Sequence, residues 1–125
     1  MKIIPSVIPS MSKFLPSILR WASEGPGEFH RSEAMEAMAI HFKLSLAAKR
    51  ELTGKRNMPR YKDRTSRAIS HLKQAGLLEL LGKGYYKITD AGKEEAFFSG
   101  DTMTTTYLSN NFSAYRIWQE ENSRK

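Results

Sequence analysis

The chain contains no cysteine, which excludes disulfides, thiolate metal sites and a cysteine nucleophile. No apolar run approaches the ~18 residues that a membrane-spanning helix requires. The N-terminal stretch up to Met11 is short and broken by Pro5 and Pro9, which makes it a poor secretory signal. The histidines, His30, His41 and His71, lie 11 and 30 residues apart, unlike the spacing of zinc ligands. Neither a P-loop nor a dinucleotide-type glycine loop is present, and no Ser/His/Asp set stands out. There is no internal repeat and no low-complexity tract. A length of 125 residues suits one domain, or one domain with tails. An apolar fraction of 40% and a mean hydropathy of −0.51 suit a soluble chain with a modest core.

What is abundant is positive charge, and it is unevenly placed. Lys and Arg number 20 against 13 Asp and Glu, for a net +7. Ten of the basic residues fall between Lys43 and Lys73, opposed there only by Glu51 and Asp63. That stretch carries +8 and the remainder of the chain −1. A field so concentrated can neutralise phosphates and release counterions, the sequence-independent part of nucleic-acid affinity. The plain alternative is a solvated lysine-rich face.

Apolar periodicity places the elements. Phe14, Leu15, Ile18, Leu19 and Ala22 form one face of a helix starting near Ser12. Pro16 is tolerable only in its first turn, and Glu24-Gly25-Pro26-Gly27 ends it. Ser32 is the expected N-cap of a second helix, with Ala34, Met35, Met38, Ala39 and Phe42 as its buried stripe. Ser45 caps a short helix, Leu46 to Leu52, closed by Gly54. Lys55 to Arg60 reads as a basic loop. The most regular helix runs from Tyr61 to Ala75. Tyr61, Thr65, Ala68, Ile69 and Leu72 share its packing sector, while Asp63, Ser66, Arg67, Ser70 and Gln74 share the opposite one. Leu77–Leu81 and Tyr85–Ile88 predict a hairpin about Gly82-Lys83-Gly84, pairing Leu81 with Tyr85, Leu80 with Tyr86, Glu79 with Lys87 and Leu78 with Ile88. Thr89 caps a helix from Asp90 to Phe98. Asp101–Thr106 reads as a linker. The stripe Leu108, Phe112, Tyr115 and Trp118 must then dock on its own domain or pair with another chain.

Helix, helix, short helix, helix, hairpin, helix is the order of a winged helix-turn-helix, mainly α with a small β-hairpin. In that motif the last core helix enters the major groove. Ser66, Arg67, Ser70 and Gln74 are then the residues that reach base edges, Arg toward guanine and Gln toward adenine. Lys62, Arg64 and Lys73, with Lys55, Arg56 and Arg60, suit phosphates. Lys83 at the hairpin tip suits the backbone or the minor groove. Two residues qualify this reading. Arg64 lies near the buried sector and has Asp63 or a helix C-terminus as alternative partners. Asp63 repels phosphate unless it accepts from cytosine N4 or orients an arginine.

Tyr61-Lys62-Asp63-Arg64, Leu72-Lys73-Gln74-Ala75-Gly76-Leu77-Leu78, Gly84-Tyr85-Tyr86 and Ile88-Thr89-Asp90-Ala91-Gly92 resemble the N-terminal domain of Mrr-type restriction endonucleases. Leu52-Thr53-Gly54-Lys55 and Phe14-Leu15-Pro16-Ser17-Ile18-Leu19 fit the same family, and the resemblance covers about residues 10 to 98. It implies a DNA-reading winged helix, usually fused to a nuclease domain that cuts modified DNA. Two departures fall on the reading face. The family commonly has Asn-Arg where this chain has Asp63-Arg64, and an aromatic near Arg67. The nuclease chemistry needs an Asp followed by Glu-x-Lys or Gln-x-Lys to hold a metal and activate water. Neither tripeptide occurs in this sequence.

The expectation is therefore a non-catalytic, cytoplasmic chain without cofactor, metal or small-molecule substrate. It comprises an arm (1–11), a winged-helix domain (12–98), and a linker with an amphipathic segment (99–125). Its expected partner is double-stranded DNA. The alternative is a protein-interaction module that homodimerises through the C-terminal segment.

Overall fold

The computed structural model describes residues 8–54 and 57–123. Helix α1, Met11–Glu24, runs through the centre, with Phe14, Leu15, Ile18 and Leu19 wholly buried. It begins one residue before Ser12, so Pro16 lies beyond the first turn and supplies no N–H to the Ser12 carbonyl. The Gly-Pro-Gly break then leads into a strand that periodicity did not reveal, β1, Glu28–His30. Three residues are too few to display a period, and the strand exists only because a distant hairpin offers it an edge.

Helix α2, Arg31–His41, follows without a loop, and its cap is His30 rather than Ser32. The Ser32 amide donates to His30 Nδ1 at 3.1 Å, and the His30 amide donates to Glu33 Oε1 at 2.8 Å. Strand pairing of His30 sets where the helix starts, overriding the better capping residue two positions on. Ala34, Met38 and Ala39 are buried, with Met35 and Phe42 partly so. Helix α3 is one turn, Leu46–Lys49, capped by Ser45 as expected. It does not reach Leu52, which instead bridges Pro59, while the Thr53 amide donates to the Met58 carbonyl at 2.9 Å. That pairing closes the basic loop at the foot of α4, Arg60–Gln74.

Strands β2, Leu78–Gly82, and β3, Tyr85–Ile88, form the wing. The pairs Leu78–Ile88, Glu79–Lys87 and Leu80–Tyr86 are as expected. The expected Leu81–Tyr85 pair is replaced by Gly82–Tyr85, with the register shifting between Leu80 and Gly82. The turn is thus two residues long, Lys83 and Gly84, with φ of 53° and 83°, as a type I′ turn demands. Strand β1 adds to the other edge of β3, pairing Phe29 with Tyr86, to give an antiparallel sheet of order β1-β3-β2. The Phe29 ring lies edge-on to Trp21 at 5.0 Å, joining the sheet to α1. Helix α5, Asp90–Phe98, is capped by Thr89 and packs on α1. Helices α1, α2 and α4 with this sheet make a winged helix.

From Ser99 to residue 123 the chain is folded onto this domain. A 3-10 turn at Gly100–Thr102 leads through buried Met103 to α6, Thr105–Asn111. The Tyr107 hydroxyl donates to Glu95 Oε2 at 2.7 Å, tying α6 to α5. Helix α7, Ser113–Ser123, packs on both α6 and α4. Leu108 and Tyr115 are wholly buried, and Phe112 and Trp118 pack against the core. The stretch read as a linker is therefore a turn and a helix start, and the aromatic stripe is satisfied within the chain.

Candidate nucleic-acid interface

The outward face of α4 is the product of its own period. Thr65, Ala68, Ile69 and Leu72 are buried, which turns Ser66, Arg67, Ser70 and Lys73 away from the core. Ser66 is half-buried, and Ser70, Lys73 and Arg67 are exposed. The Arg67 side chain is 62% exposed, and its Nε lies 3.3 Å from Asp63 Oδ2. Asp63 is itself buried, yet it lines the two hollows that open on either side of Arg67. It sits under Arg67 and orients that guanidinium, one of the two arrangements under which a carboxylate here is compatible with a nucleic acid. Gln74 is half-buried at the C-terminal end of the helix.

The other basic residues divide by what they touch. Arg60 opens α4 rather than closing the loop, and its Nε lies 2.7 Å from Glu51 Oε2, an ion pair without hydrogen-bond alignment. Arg64 turns toward the N-terminal arm, where Nη1 donates to the carbonyls of Ile8 and Pro9 at 2.6 and 2.5 Å. Its hydrogen bonds thus go to the arm, while the carboxylates of Glu51 and Asp63 act on its charge through space. Burial, and then Arg60, lower the affinity of its guanidinium for its proton, but an arginine stays charged all the same. Lys62 lines a shallow hollow on the opposite flank with Trp21, Met35, Glu36 and Ile40. Lys83 projects from the wing tip, exposed. Lys55 and Arg56 lie outside the described residues.

Thus both acids of the basic stretch, Glu51 and Asp63, have an arginine beside them. On α4, Arg60 and Arg67 each have a carboxylate at ion-pair distance, Arg64 is bonded to neutral carbonyls, Lys62 shares its hollow with Glu33 and Glu36, and Lys73 is exposed. Arg60, Arg64 and Arg67 also line one hollow with Thr53 and Gly54, at the N-terminal end of α4.

A chain addition frames the same face. His71 shares a hydrogen bond of 2.8 Å between its Nδ1 and the Tyr115 hydroxyl, and the Trp118 ring stands edge-to-face on the imidazole at 5.0 Å. Burial, reinforced by Arg67, holds His71 below the usual histidine range. Burial pushes the Tyr115 phenol up. Both groups are therefore neutral near pH 7. Trp118 lines an open hollow of about 340 Å³ with Ser66, Arg67 and Ser70. The spacing of the aromatic stripe showed that Trp118 would be satisfied, but not that it would lie beside the outward serines.

A family model described as the Mrr N-terminal domain matches residues 12–96. The chain belongs to the Mrr N-terminal domain family. That domain is one of Mrr-type restriction systems, and its match ends within α5. Helices α6 and α7 lie beyond the matched span, so this Mrr N-terminal domain carries two further helices, α6 tied to α5 and α7 packed on α4. No curated protein and no solved structure matches the chain. Among the described residues, no three His, Asp or Glu side chains converge as a metal site, and no helix is long and apolar enough to cross a membrane.

Proposed function

We propose that this chain is a non-catalytic module that binds double-stranded DNA, with α4 in the major groove and the wing tip against the backbone. The observation that carries this reading is the open, short-chained face of α4. Ser66, Ser70 and Lys73 surround an exposed arginine whose direction is set by a buried carboxylate. A flat face with Arg67 projecting from it fits a groove that displays guanine O6 and N7. Lys62, Lys73 and Lys83 stand at positions suited to phosphates. Arg64, engaged by the arm, holds the domain together and contributes only long-range charge. A place in the cytoplasm, on the nucleoid, follows from such a partner.

Gel shifts of duplex DNA across a salt series test this. If about six phosphates are neutralised, log K falls with log salt at a slope near −5. Absent binding, or binding indifferent to salt, ends the proposal.

A second reading, assembly with another copy of the chain, draws on one feature. Phe97 and Phe98 at the end of α5 are 81% and 75% exposed, with their rings 4.9 Å apart. In that reading the homodimer contact lies there and not on the stripe from Leu108 to Trp118, which the chain itself covers. Sedimentation of the chain beside a variant with Phe97→Ser and Phe98→Ser tests it. A dimer that becomes a monomer supports it, and two monomers dismiss it.

A further inference from the structure

The hollow beside Trp118 has two unlike walls. One is made of polar groups on α4, the hydroxyls of Ser66 and Ser70 and the guanidinium of Arg67, with the Asp63 carboxylate beside that guanidinium and His71 next to the indole. The other is the half-buried indole of Trp118, brought in by α7. That indole is held from behind. It stands at 85° on His71 and lies 5.7 Å from the Tyr115 ring. Tyr115 is wholly buried and bonded to His71. The apolar wall is thus set before any ligand arrives, and a preorganised contact avoids the ordering cost of a mobile one.

Of the base edges in the major groove, one matches a polar wall meeting an apolar one. Thymine presents the O4 acceptor next to the C5-methyl group. Serine hydroxyls donate to O4, and the methyl group rests against the indole. Cytosine offers a donor at that place and no methyl group, and the purines offer only hydrogen-bonding atoms. We propose that Trp118 is a specificity-determining residue that contacts the 5-methyl group of a thymine next to the base pair faced by Arg67. This rests on the reading that α4 enters the major groove. It assigns to the segment beyond the family domain a part in choosing the site.

The test uses the full chain. Selection from random duplexes defines a preferred site, and each thymine in it is then replaced by deoxyuridine, which lacks only the methyl group. One position is expected to cost the wild type about four-fold in affinity, the worth of one buried methyl group. Trp118→Ala is expected to bind the two duplexes equally, whereas Trp118→Phe, which keeps an aromatic wall, still discriminates. Photo-crosslinking of the wild type to 5-bromodeoxyuridine at that position, which needs no variant to fold, is expected to mark Trp118. Retention of the four-fold discrimination by Trp118→Ala, or a crosslink that marks other residues and spares Trp118, overturns the proposal. So does a site at which no thymine is sensitive. If in that case Arg67→Ala still relaxes the preference, the groove reading survives alone. If no duplex is bound at all, the groove reading fails first and this one with it.

Discussion

His71 on α4 and Tyr115 on α7 stand 44 residues apart in the chain and share a 2.8 Å hydrogen bond at the edge of the outward face. Through it the last helix of the chain is held to the helix on which the proposed DNA contact depends. Stability of the domain and shape of that face are therefore linked.

Tyr115→Phe removes the hydroxyl and leaves a partly buried imidazole nitrogen without its partner. The expected loss is about 1–3 kcal/mol in denaturant unfolding, the penalty for an orphaned buried polar group. Tyr115→Ala also leaves a cavity at a wholly buried site. Its expected loss is about 3–5 kcal/mol, by analogy with other large aromatic truncations.

The pH dependence follows from His71. Burial and Arg67 hold it below its usual value in the folded chain, and unfolding restores a value of about 6.5. Below that pH the unfolded chain binds the extra proton first, so its stabilisation is complete above about pH 6.5 and declines as the pH falls through and beneath it. Thermal melts between pH 7.5 and 5 are expected to show this decline, and His71→Gln is expected to flatten it.

Arg64→Ala is expected to behave as a structural change. It strips the donors from the Ile8 and Pro9 carbonyls and costs about 1.5–3 kcal/mol, the range for hydrogen bonds to a charged group. The slope of DNA affinity against salt should stay nearly constant. A slope reduced by about one, with stability unchanged, makes Arg64 a phosphate ligand instead.

Arg67→Ala is expected to cost about 1–3 kcal/mol at one base pair and to relax preference there. A uniform loss on every duplex makes it a backbone anchor. Lys83→Ala, at the wing tip, should weaken all duplexes alike and lower the salt slope by about one.

Gly92→Ala tests how tightly α5 sits on the domain. A Cβ there falls 2.2 Å from the Leu77 carbonyl oxygen and 2.7 Å from the Ile88 side chain. Backbone must move to admit it, and a loss of about 1–3 kcal/mol is expected in thermal or denaturant unfolding, the usual range for an overpacked core.

Features that depend on neighbours along the chain were legible without a structure. The 3.6-residue period of Tyr61, Thr65, Ala68, Ile69 and Leu72 defined α4, and side-chain oxygens at Ser45 and Thr89 marked two helix starts. Alternation placed three of the wing's four pairs, and the fourth slipped because a two-residue turn needs Gly82 inside the strand. The crowding of positive charge between Lys43 and Lys73 was likewise visible from composition alone. Tertiary structure decided the rest. β1 exists because Tyr86 offers it an edge. Arg64 faces inward because the arm presents two carbonyls, and Asp63 is buried beneath the arginine one turn on. Trp118 reaches α4 because Tyr115 finds His71. Local periodicity states which side of an element is apolar. Only the packed chain states what that side meets, since the partner lies tens of residues away and no spacing encodes it.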